Sequence, residues 1–72
     1  MNNVLVFKTS VTNSREVRKL EPLLNQLIQP HGRWNFDLED CDRILRVEAN
    51  AEISQAVTAL MNAYDYQCHE LH

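Results

Sequence analysis

Between Val4 and Ile28 the hydrophobic pattern changes once, and that change limits how the chain can fold. Val4-Leu5-Val6-Phe7 is a continuous apolar run with two valines, the composition of a strand covered on both faces. A polar junction follows, Thr9-Ser10-Val11-Thr12-Asn13-Ser14-Arg15-Glu16. Beyond it Val17, Leu20, Leu24, Leu27 and Ile28 fall on one stripe at about 100° per residue, which predicts a helix packed back on that strand. Asn13 or Ser14 caps the helix, and Asn13 with Glu16 has the spacing of a capping box. Pro22 lies opposite the apolar stripe, so one helix bowed around the core is expected to end before Pro30, with two short helices as the alternative.

The rest of the chain alternates in the same manner. Pro30-His31-Gly32 is a stop-and-turn signal holding the one glycine. Trp34, Phe36 and Leu38 alternate with Asn35, Asp37 and Glu39, a half-buried strand. Glu39-Asp40-Cys41-Asp42 is the turn of a hairpin whose return strand runs from Arg43 to Glu48. Leu45 and Val47 should face the core with Trp34, Phe36 and Leu38, leaving Ile44, Arg46 and Glu48 outside. Asn50 caps a second helix with Glu52 in its first turn and a stripe of Ile53, Ala56, Val57, Leu60 and Tyr64. Tyr66 to Leu71 makes a last edge strand.

This order, βαββαβ, with right-handed crossovers gives an α+β, ferredoxin-like domain. It has a four-stranded antiparallel sheet of order 4-1-3-2 and two helices on one face. Residues 1–72 are read as a single domain of this kind. A formal charge of −3 argues against a nucleic-acid partner, which would want a basic face, and no apolar run is long enough to span a bilayer. Met1-Asn2-Asn3 lacks the basic start of a signal peptide, so a cytoplasmic location is expected. Cys41 and Cys68 are read as reduced thiols on opposite edges of the sheet, out of disulfide reach.

In element order, length and the Val11-Thr12-Asn13-Ser14-Arg15-Glu16-Val17 segment, followed by Leu20 and Leu24, the chain resembles the heavy-metal-associated domain family. Family members carry Met-Thr-Cys-x-x-Cys there, with apolar residues at the same later spacing. Ala63 to Tyr66 is similar to the family's Ala-Gly-Tyr turn, without its glycine. The resemblance implies a two-thiolate site for a soft ion, but Asn13 and Glu16 stand in place of the two cysteines. Their hard oxygens do not suit Cu(I), and the capping box explains them.

The expectation is therefore a divergent, non-enzymatic member without cofactor that has lost the thiolate site. It would act through an unidentified protein partner or as a homodimer. The alternative is metal binding or transport by atypical ligands, drawn from Asn13, Glu16, Cys41 and Asp42 or from the tail Cys68, His69 and His72. The topology should gather Asn13, Glu16, Glu39, Asp40, Cys41, Asp42 and Asp65 at one end, as an acidic surface or a weak hard-ion site. On a strand Cys68 and His69 point to opposite faces, which disfavours the tail. No catalytic Ser/His/Asp or Cys/His pattern and no phosphate-cradling glycine loop is present. The uncovered sheet face should carry either Leu5 and Phe7 or Val4 and Val6, with Ile44 and Leu71, an apolar strip suited to association.

Overall fold

The computed structural model describes residues 3–39 and 41–71. In chain order it contains β1 (Asn3–Thr9), α1 (Ser14–Ile28), β2 (Arg33–Asp37), β3 (Ile44–Ala49), α2 (Ile53–Ala63) and β4 (Cys68–Leu71). All three strand pairs are antiparallel and the sheet order is β2-β3-β1-β4, the expected order read from the other edge. The two apolar strands, β1 and β3, lie at the centre. β2 and β4 form the edges.

Register settles which β1 residues face the helices. Leu5 lies opposite Val47 and Phe7 opposite Leu45, while Trp34 and Phe36 of β2 flank the same two β3 residues. These side chains join Leu20, Leu24 and Ile28 of α1 and Val57 and Met61 of α2 in one core, with Phe7, Leu24, Leu45, Val47, Val57 and Met61 fully buried. β1 is central but is covered on one face only, not on both as its apolar run suggested: Val4 and Val6 occupy the open face with Ile44 and Leu71. Ile44, opposite Lys8 and Asp37 in the sheet, does not stand out from that face as expected but is buried.

Four local expectations need correction. Arg43 adopts φ +47°, a left-handed turn conformation, so β3 starts at Ile44 and runs on to Ala49. β2 stops at Asp37, before Leu38 and Glu39. β4 begins at Cys68, because Tyr66 still belongs to the end of α2, where its N–H donates to the Met61 carbonyl. Tyr64 follows the last helical residue and is 50% exposed, so Met61 takes the buried place expected for it.

The caps of α1 form as expected, with one shift. Asn13 Oδ1 accepts the Glu16 N–H at 3.0 Å, while the Glu16 carboxylate reaches one residue further back, to the Thr12 N–H at 3.2 Å. α1 runs through the exposed Pro22 as one helix and ends with the Gln29 N–H on the Asn25 carbonyl. Asn50 does not cap α2 as expected: the helix starts at Ile53 with Glu52 at its N-cap and no side-chain cap bond, and Asn50 Oδ1 instead accepts the Glu52 N–H at 3.0 Å, bending the chain ahead of the helix.

Gly32 supplies a close approach that its neighbours impose. A Cβ there would lie 2.5 Å from the Glu48 carbonyl oxygen and 2.9 Å from Ile28 Cγ2. The chain entering β2 can lie against β3 and the end of α1 only without a side chain at this point.

Candidate functional site

The end of the domain holding the β1–α1 junction is braced by hydrogen bonds from two residues. Thr9 is buried at the last position of β1. Its hydroxyl donates to the Arg43 carbonyl at 2.7 Å and accepts the Val11 N–H at 3.2 Å, and its own N–H donates to the Asp42 carbonyl at 3.2 Å. Ser10 turns the other way. Its N–H donates to the Gln67 carbonyl at 3.1 Å, and its Oγ accepts the Gln67 N–H at 2.9 Å. The junction is thus tied to the β2–β3 turn on one side and to the turn before β4 on the other. Val11, between these ties and α1, is wholly buried.

Asn13 and Glu16 sit at the mouth of this arrangement, and their oxygens are directed at α1's own beginning. Besides the two backbone bonds, Thr12 Oγ1 lies 3.5 Å from Glu16 Oε1 and Asn13 Nδ2 lies 3.4 Å from Thr12 Oγ1. Tyr66 faces the same end. Burial, and then the negative charge of Glu16, push its hydroxyl pKa above the ordinary 10.0. The phenol stays protonated beside the carboxylate.

The three loops do share one end, as the topology required, but their described acidic groups do not form a ligand set. Among the described residues no three of His, Cys, Asp and Glu converge closely enough to hold a metal ion. Asp42 lies 3.6 Å from Lys8 Nζ, across an exposed ion pair. Asp65 is exposed at the end of α2, and Asp40 lies outside the described residues.

The thiols are separated in position and in chemistry. Cys41 is exposed on the β2–β3 turn and Cys68 is buried, both unbonded to one another. Cys68 lies opposite Thr9 on the helix-facing side, and burial pushes its pKa from 9.0 to about 11 despite a hydrogen bond with the Thr58 side chain. His69 pairs with Lys8 on the open face, so Cys68 and His69 point apart, and His72 lies outside the described residues. A buried, protonated thiol is a poor ligand and a poor nucleophile.

The bracing by Thr9 and Ser10 was not visible in the sequence, where both read only as junction residues. The same holds for Asn25, whose Oδ1 accepts the Trp34 indole N–H at 2.8 Å and fixes the ring against α1. The surface also carries several shallow depressions. One, of about 620 Å³, runs along the β2 edge past Val17, Trp34, Phe36 and Leu38. Another, of about 540 Å³, lies between the helices at Leu23, Leu27, Ala56 and Leu60. Comparison with protein-family models, with curated proteins and with solved structures finds no match to this chain.

Proposed function

We propose that this chain is a heavy-metal-associated-like module that carries no thiolate site and works through protein contacts. One observation carries the reading. The two positions that would hold metal-binding thiols are Asn13 and Glu16, and both close on backbone amides at the start of α1. Their side chains serve the helix, as a capping box does. The remaining surface favours association: Val4 is 59% exposed and Leu71 43% exposed on the open sheet face, and the groove between the helices is apolar. No helix among the described residues is long and apolar enough to cross a membrane.

The test is a competitive titration of the reduced protein with Cu(I) and Zn(II), read by native mass spectrometry. Binding no greater than that of an unrelated acidic protein is expected. One tightly bound ion, lost on Cys41→Ser or Cys68→Ser, would replace this reading with metal handling through relocated ligands. A protein that recovers no partner and stays monomeric at high concentration would remove the support for protein contacts.

A further inference from the structure

The sequence of β2, Arg33-Trp34-Asn35-Phe36-Asp37, is complementary to its own reverse, and β2 is an edge of the sheet. We propose that this edge recognises a second copy of the chain, whose β2 pairs antiparallel with it across a two-fold axis at Asn35. The inference rests on the protein-contact reading above and names the partner and the surface.

In that register Arg33 lies opposite the partner's Asp37, and Trp34 opposite the partner's Phe36, each pair occurring twice by symmetry. The two kinds of pair fall on different faces. Arg33, Asn35 and Asp37 share the open face with Glu48, Arg46 and Ile44, while Trp34 and Phe36 share the core face with Val47 and Leu45. Opposite charges and aromatic pairs directly across antiparallel strands are favourable, and like charges are not. A parallel pairing would set Arg33 against Arg33. Charged residues usually blunt an edge strand, but here the signs at its two ends differ, so they select one register.

The aromatic pair is already set for such a contact. Trp34 and Phe36 meet edge-to-face, with centroids 5.8 Å apart at 77°, and Asn25 holds the indole N–H. Both rings are half-buried, because no strand lies beyond β2, and the depression along this edge passes over them. A second β2 would cover what β3 and α1 leave open, with little ordering cost. Arg33 forms an ion pair with Glu48 through Nε, and a guanidinium has further N–H donors for an opposing carboxylate. The axis residue suits its place, since an exposed amide meeting its own copy offers both a donor and an acceptor. β4 has no equivalent match: a two-fold at its middle sets His69 against His69 or Glu70 against Glu70.

Sedimentation velocity of the full chain over a concentration series tests this. The wild type should show a reversible monomer–dimer equilibrium. Arg33→Asp and Asp37→Arg each place like charges at both ends of the paired strands and should weaken self-association about tenfold or more. An equimolar mixture of the two variants restores opposite signs at both ends and should recover the dimer as a heterodimer. Asn35→Asp sets carboxylate against carboxylate on the axis and should weaken the dimer at neutral pH. This exposed substitution keeps the test decisive if either charge reversal impairs folding. A wild type that stays monomeric into the millimolar range overturns the proposal and leaves the protein-contact reading to a different partner. A dimer that none of the substitutions weakens also overturns it, and moves self-association to another face.

Discussion

Asp65 holds the left-handed conformation, φ +66°, immediately after the helix-terminating Tyr64. The Tyr66 N–H reaches back to the Met61 carbonyl at 2.9 Å and the Asp65 N–H to the Asn62 carbonyl at 3.1 Å, the two bonds of a Schellman motif. Its usual glycine is absent, so a Cβ carries the steric cost of positive φ. Asp65→Gly should therefore stabilise the protein by about 0.5–1 kcal/mol, the relief of that cost less the entropy gained by the unfolded chain. A urea midpoint that stays put or falls would contradict it. Gly32 has the opposite constraint, because its missing Cβ leaves room for the Glu48 carbonyl oxygen and for Ile28. Gly32→Ala should cost about 1–3 kcal/mol in the same denaturation experiment, since a backbone oxygen cannot yield as a side-chain end can.

At the scale of elements, the pattern of the sequence carries most of the fold. Period-2 alternation in residues 34–38 and the 3.6-residue stripe from Val17 to Ile28 depend only on neighbours, so both were legible before any contact was known. Element ends were less so, since β3 starts where Arg43 turns and β2 stops before Leu38. α1 shows local signals that compete. Its cap is favourable, and Asn13→Ala should cost about 1 kcal/mol through the exposed Glu16 N–H. Pro22 is unfavourable, because a proline inside a helix leaves the carbonyl four residues earlier without its donor. Its side chain is exposed, so Pro22→Ala removes no core packing. Urea denaturation should show a gain of about 2 kcal/mol, the helix-interior cost less the unfolded-state restriction that proline provides. A loss of stability would mean that Pro22 is needed for the path of α1 over the sheet.

For the molecule as a whole, what could not be read in advance is what joins distant segments. Thr9 meets Arg43 across 34 residues of sequence and Ser10 meets Gln67 across 57, so no local pattern could reveal that these residues brace the loop end. Asn13 and Glu16 were legible there, because a helix cap is local. Burial of Cys68 is likewise a property of the assembled fold, since β4 brings it against β1 and Thr58 of α2 packs over it. That burial links one thiol to global stability. The folded state holds Cys68 at a pKa of about 11 against 9.0 for an ordinary thiol, so the unfolded chain releases this proton first as pH rises. Stability attributable to Cys68 is therefore intact below pH 9.0 and is lost progressively as pH rises through about 11, by at most about 1.4 kcal/mol per pH unit. Cys68→Ala will be less stable at neutral pH through the space it leaves, and the informative quantity is how its deficit changes with pH. The gap between wild type and variant should narrow above pH 9.0, and a constant gap would mean that the thiol titrates equally in both states. A thiol reagent at neutral pH gives an independent reading. Exposed Cys41 should react on mixing, whereas Cys68 should react only as fast as the fold opens, with its rate rising in urea as the global unfolding curve does.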